Sequence, residues 1–468
     1  MWRYSWAALV FALAAFATST HQTISAQDAA APTYYKDVLP ILQKNCQSCH
    51  RPGQIGPFSM MSFETTRPWV RAIKTRVVNR QMPPWFADPH SGQFVNDTSL
   101  KQADIDIVSK WVDAGAPQGD PAHAPKAIEW PSDGWQIKPD LIVRGPEFRV
   151  PARPPKNVIE WADIVVPSGI TEDTWITSLE IKPSDLTVTH HICISFIPHR
   201  ESVRYYEWSW RESPRDEEGV ATDRGATAAG AVSGRQGPRA NAPVGGPNAG
   251  TGGFSCYVPG VQADDYRRLK AAKMIPANTD IVFQVHYTPS GKEVVDRPLV
   301  GFTLAEAPAE KRWVSMAISG ASPAFAIPPN EANYPSPPAE GEFMADSWLV
   351  QMMPHMHLRG KDMKYTLTYP DGRKQVVLSV PKYDFNWQMV YQPAEPIFMP
   401  KGTKIRIDAH FDNSTGNKFN PNPNITVYPG RMTWEEMMTP FFSVIVDSKV
   451  DPTKVFELRG TTVVGDGA

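Results

Sequence analysis

Asp185-Leu-Thr-Val-Thr-His190-His191-Ile-Cys193-Ile-Ser-Phe-Ile-Pro198 decides how the rest of this chain is read. It is rich in β-branched and aromatic residues and is closed by proline, the composition of a strand. Two adjacent histidines sit inside it. The same short apolar runs recur downstream as TWITSLEI, TDIVFQVHYT, KYTLTYPDG, KQVVLSV and TKIRIDAHF, separated by Pro, Gly, Asn and Asp. TYPDGRKQ carries a hairpin turn. From about residue 160 onward this pattern predicts an all-β architecture of packed sandwiches.

Three later pieces carry residues suited to metal binding: Gln-Val-His286-Tyr, Pro-His355-Met-His357 and Glu-Glu-Met437-Met. Residues i and i+2 of a strand share a face, so His355 and His357 can hold one ion or can be two solvated or core histidines. Adjacent side chains face opposite ways. His190 and His191 can therefore share an ion only if the backbone twists, bulges or ends there. His286 by itself is equally open. A thioether such as that of Met437 is a soft ligand and selects Cu(I) over zinc or calcium. His410, in IDAHFDNST, reads as a core or supporting histidine; His90 and His123 fall in Pro-rich loops and His199 follows a strand end.

A different cofactor is written far upstream, in Cys46-Gln-Ser-Cys49-His50. C-x-x-C-H is the attachment signature of a c-type haem. Its two thiols bond the vinyl groups, and His50 becomes the proximal iron ligand. A zinc or redox CxxC is the competing reading. A second axial ligand is available from Met60, Met61 or Met82, and the two prolines after Met82 stiffen its backbone. Met82 is the favoured choice. A short helix should precede the motif, with Pro40 a point where it can kink. A second should span 64–80 with Trp69, Ile73 and Val77 on one face. A third should span 100–114, opened by a Ser99/Gln102 capping box, lined by Ile105, Val108, Trp111 and Val112, and closed at Gly115. Three helices around a haem look like a small all-α class I cytochrome c domain over 32–120. The wording from Asn45 to Asp120 also resembles cytochrome modules fused to other bacterial redox domains.

The chain has 468 residues, 41% hydrophobic and 21% charged, enough for two or three domains. A net charge of −2 gives no electrostatic reason to expect a nucleic acid or an anionic membrane as partner. Residues 1–26 read as a cleaved export signal, with Arg3 before an apolar run too short to span a bilayer. No later run is apolar enough for a membrane span. The protein is therefore expected in a periplasm or outside the cell. There Cys193 and Cys256 can pair, which would add about 4 kcal/mol on the chain-entropy model, or remain two thiols. Residues 121–160 are proline-rich and read as a linker. Residues 213–253 nearly lack large apolar side chains and read as a disordered insertion.

VTHHI, QVHY, PHMHLRG and EEMM occur in the order and approximate setting seen in the copper type II, ascorbate-dependent monooxygenases. That family includes peptidylglycine α-hydroxylating monooxygenase and dopamine β-monooxygenase, and the resemblance covers about residues 160–450. It implies two β-sandwich domains, 161–310 and 311–460. It also implies two copper ions: an electron-storing one on His190, His191 and His286, and a dioxygen-activating one on His355, His357 and Met437. The animal enzymes carry several disulfides where this chain has at most one, and no motif transfers their peptide or catecholamine sites. The reading that follows is an exported monooxygenase acting on a small-molecule or peptide C–H bond with dioxygen. An external donor would supply electrons, and the haem would supply or relay them. The alternatives are a non-catalytic haem/copper electron-transfer or copper-handling protein, and a zinc hydrolase.

Overall fold

The computed structural model describes residues 31–459 apart from 132–133, 154–157, 202, 213–252, 261–262, 319–324 and 431–432. The export signal read at 1–26 and all but the last residue of the 213–253 insertion lie outside the described residues.

Strands dominate, and the named ladders are antiparallel. In one five-stranded sheet the order is Ser209–Glu212, Val158–Pro167, Thr279–Tyr287, Thr189–Pro198, Phe254–Tyr257. Its partner sheet orders Leu141–Arg144, Pro298–Leu304, Thr174–Pro183 and Asp264–Asp265, with Lys273–Ile275 also on Thr174–Pro183. Alternation along the histidine strand does what a strand period of two demands. Ile192, Ile194 and Phe196 enter a core with Ile281, Phe283, Leu179 and Phe302. Cys193 and Ser195, between them, lie on the opposite face of the sheet.

A second pair of sheets begins at Lys311. One orders Lys311–Ala317, Phe441–Asp447, Ser347–Met353, Ile397–Met399. The other orders Lys374–Val380, Gly360–Thr368, Lys404–Phe411, Ala339–Phe343, Phe456–Arg459. Leu349, Met352, Tyr365, Ile407 and Phe442 fill the core between them. Trp313, Val350 and Ile445 leave the opposite face and pack into the first core, so the two pairs of sheets share an apolar seam. The proline-rich stretch read as a linker also contributes strands to the β region. Leu141–Arg144 pairs with Pro298–Leu304, and Phe148–Val150 pairs with Val294–Asp296.

The N-terminal residues are helical, with corrections to the expected elements. A π-helical turn at Tyr34–Val38 leads into Leu39–Asn45, where Pro40 sits in the first turn, a position that tolerates proline. The segment read as one helix breaks at Pro68 into Phe63–Thr66, a 3-10 turn and Val70–Val78. Ile73 and Val77 are buried, but Trp69 is 43% exposed and stacks on Phe58 at 4.4 Å. The last helix, Gln102–Asp113, starts at Lys101 without a side-chain cap. Ser99 instead takes a backbone bond from its own N–H to Asp97, and Gln102 binds Asp106 and Arg80. Tyr34, Leu42, Met60, Val108 and Trp111 close a separate small core.

Candidate metal centres

The adjacent histidines are brought together by an irregularity in the ladder. Along Thr279–Tyr287, His286 lies opposite His191, while the next residue, Tyr287, lies opposite Thr189. His190 is the extra residue, so a bulge releases it from strict alternation and lets it turn toward its neighbour's face. His190 and His191 then approach with their Nδ1 atoms 3.0 Å apart. Two imidazole nitrogens take that separation when both point at one ion about 2 Å away. The candidate ligand atoms of His190, His191 and His286 all lie within 4.8 Å of one another. Among the described residues this is the one such group of three or more His, Cys, Asp or Glu.

Asp296 pins the bulge from below. It is fully buried and accepts from Tyr287 Oη at 2.9 Å, Ser184 Oγ at 2.9 Å, the Asp185 N–H at 2.8 Å and Thr189 Oγ1 at 3.4 Å. Tyr287 follows His286 and Thr189 precedes His190, so one side chain ties both arms of the site. Nothing in the sequence singles out Asp296. Cys193 and Cys256 form a disulfide between directly paired residues two positions further along the strand.

The second set is built on a short antiparallel bridge between Met356 and Met438. The Thr439 N–H donates to His355 O at 3.0 Å, which continues this register and sets Met437 opposite His357. Met356 and Met438 are buried in the second core. His355, His357 and Met437 therefore share the other face. The two imidazole rings are 5.4 Å apart, and both are buried.

A buried acid sets this turn. Glu436 accepts from the Arg359 N–H at 2.6 Å and the His357 N–H at 3.0 Å. Burial pushes its carboxyl up to about 8, opposed by Arg359 and those backbone donors. The fully buried Arg359 guanidinium in turn binds Asn413 Oδ1 and Trp434 O. Gly360 is required because a Cβ there would stand 2.7 Å from Met356 Cβ and 2.8 Å from Tyr383 Cδ1.

The two sets face each other across the seam, with His191 and His355 rings 6.4 Å apart. Phe385 lies between them, stacked on His190 at 4.7 Å and 6.2 Å from His357. The segment 382–392 that carries Phe385 has no metal-ligand signature and was missed in the sequence. Burial drives the His191 imidazole well below its ordinary value, helped by the neighbouring histidines, and brings His355 down to about 4. Neutral imidazoles and a thioether suit a soft or borderline cation, as copper is. The remaining histidines lie elsewhere: His410 on Asp362 at 2.8 Å, His199 on Asp280 at 3.2 Å, and His90 and His123 exposed.

At the N-terminal motif, His50 Nδ1 lies 3.1 Å from Phe58 O, which leaves Nε2 for another partner. A Cβ on Gly56 would fall 2.8 Å from that Nδ1, so the glycine lets the loop close over the ring. Cys46 and Cys49 are not bonded to each other. Burial pushes the Cys46 thiol up to about 12. A redox CxxC needs its thiol lowered. Cys46, Cys49 and the Nε2 of His50 are the groups that would hold a c-type haem. Met60 is buried in the helical core, whereas Met61 and Met82 are half-buried.

The segment after Met82 leaves the helices and docks on the second sandwich. Trp85 and Phe94 pack on Tyr391 at 4.9 and 5.7 Å. Asn96 donates to Val390 O at 2.7 Å and accepts from the Gln392 N–H at 3.0 Å.

No family model and no curated protein matches the chain. Among solved structures, infectious bursal disease virus VP2 in its subviral particle aligns over 70% of this chain and 80% of that one. The identity is 9% and the TM-score 0.18, a likeness that carries no argument. Among the described residues no helix is long and apolar enough to cross a membrane.

Proposed function

We propose that this chain is an exported copper-dependent monooxygenase of the type II, ascorbate-dependent kind, fused to an N-terminal c-type cytochrome domain. The observation that carries the proposal is the bulge at His190, which gathers a three-histidine set opposite a second set of His355, His357 and Met437. When bound, copper would supply dioxygen activation at the second set and electron storage at the first, and haem on Cys46, Cys49, His50 and Met82 would supply electron entry.

The chain's own residues make the surroundings. Asp296 and Glu436 hold the ligand-bearing backbones in register. Burial keeps the His191 and His355 imidazoles neutral and ready to bind a cation. Phe385 lines the space between the sets, stacked on His190 and 6.2 Å from His357. The substrate would be a small molecule or peptide offering a C–H bond, with an external donor completing the electron supply.

The test is dioxygen uptake by the haem- and copper-loaded full chain, supplied with ascorbate and a panel of candidate substrates. Substrate-dependent uptake abolished in His355→Ala supports the proposal. Haem oxidation with no dioxygen consumed into product, across the panel and in the variant alike, would favour a non-catalytic electron carrier.

A further inference from the structure

The buried amide of Gln388 sits 2.6 Å from His355 Nδ1 through its Oε1 and is 2% exposed. Its Nε2 donates to Phe385 O at 3.4 Å, which orients the oxygen toward the imidazole. An acceptor at Nδ1 places the proton there and the lone pair on Nε2. This is how an outer group fixes the tautomer and direction of a ligating histidine.

The segment bearing Gln388 is itself held at several points. Tyr383 Oη donates to Met356 O at 2.7 Å and accepts from the Met356 N–H at 3.1 Å, bracketing the residue between His355 and His357. Tyr391 exchanges backbone hydrogen bonds with Met352 at 2.8 and 2.9 Å. Beyond it, the helical module holds Val390 and Gln392 through Asn96, and Tyr391 through Trp85. That grip begins at Val390, two positions beyond Gln388.

We propose that Gln388 is the positioning residue for His355, and that the N-terminal module sets its place through the Trp85–Tyr391 contact. The proposal rests on the reading of His355, His357 and Met437 as a copper site. It adds that the haem-bearing module is a structural part of that site, because the module fixes the segment that aims His355.

The experiment is a Cu(II) titration of the metal-stripped, haem-bearing full chain, followed by electron paramagnetic resonance. His190→Ala and His355→Ala assign the two signals. Gln388→Met keeps the volume and removes the acceptor; Gln388→Glu keeps an acceptor. Expected is a loss of about 10- to 100-fold in affinity at the His355 signal in Gln388→Met, with altered hyperfine splitting. The His190 signal and the haem spectrum should be unchanged, and Gln388→Glu should restore affinity. Trp85→Ala should shift the same signal in the same direction by less.

Equal affinity and splitting in Gln388→Met overturns the positioning role, as does equal weakening at both sites. An effect in Gln388→Met with none in Trp85→Ala overturns the module's part. Copper uptake in the parent chain that His355→Ala leaves untouched overturns the copper reading itself, and this proposal with it.

Discussion

Asp296→Ala should loosen one metal centre and leave the other. In the native fold this buried side chain collects four donors around the bulge at His190. Removing it strands the buried Tyr287 hydroxyl, at about 1–3 kcal/mol for a donor left without a partner. Ser184 is exposed and Asp185 half-buried, so their groups regain water and each loses about 1 kcal/mol net. The weak bond from Thr189 adds little. These losses share one acceptor and do not sum fully, so the variant should lose about 3 kcal/mol. Without the tie between Thr189 and Tyr287 the bulge can relax, and affinity at His190, His191 and His286 should fall about 10- to 100-fold. The His355 site should keep its affinity, since Asp296 touches neither of its strands. Urea unfolding of the metal-free chain and copper titration of the folded chain read the two effects separately. A stability change under about 1 kcal/mol, within surface-substitution range, would refute the account of Asp296 as the anchor of the bulge, as would equal weakening at both sites.

Asn96→Ala removes two hydrogen bonds to the 390–392 backbone, so the helical module should lose about 2 kcal/mol of docking and become more open to limited proteolysis around residue 96. Lys273 is buried, with its ammonium on Phe254 O at 3.0 Å, and burial lowers it to about 8. The unfolded chain binds more protons than the fold between pH 8 and 10.5, so this residue's contribution to stability should rise by about 3 kcal/mol across that window. The rise should be absent in Lys273→Met when the two pH profiles are subtracted. Because His355 lies near 4, its own protonation should take almost nothing from copper uptake at its site between pH 7.5 and 5.5. An ordinary imidazole would show about a tenfold loss over that range. Gly360→Ala should weaken the His355 signal in copper titration, because the added Cβ must displace Met356 or Tyr383.

What the sequence showed well was whatever follows the strand period. Ile192, Ile194 and Phe196 face the core because residues two apart share a face, and His355 and His357 meet for the same reason. The adjacent pair could be read only as a condition: His190 and His191 cooperate if the ladder is irregular. The irregularity depends on how Tyr287 and Thr189 are pulled toward Asp296, more than a hundred residues from one of them, and no local pattern encodes that. The segment 382–392 was illegible for a similar reason. Tyr383, Phe385 and Gln388 look like ordinary loop residues until the seam brings them against both histidine sets. The helical elements were misread where side chains had tertiary partners: Gln102 binds Arg80 and does not cap, and Trp69 stacks on Phe58 and stays 43% exposed. The disulfide, permitted by compartment alone, follows from register, because Cys193 and Cys256 are directly paired.

The central claim is that two separate copper centres accompany one haem. Metal per haem, measured by elemental analysis on protein matured in an exporting host and then supplied with copper, tests it most directly. The account predicts two coppers per haem, one lost in His190→Ala and the other in His355→Ala or Met437→Ala. Zinc in place of copper, or a single copper unaffected by these substitutions, would contradict it.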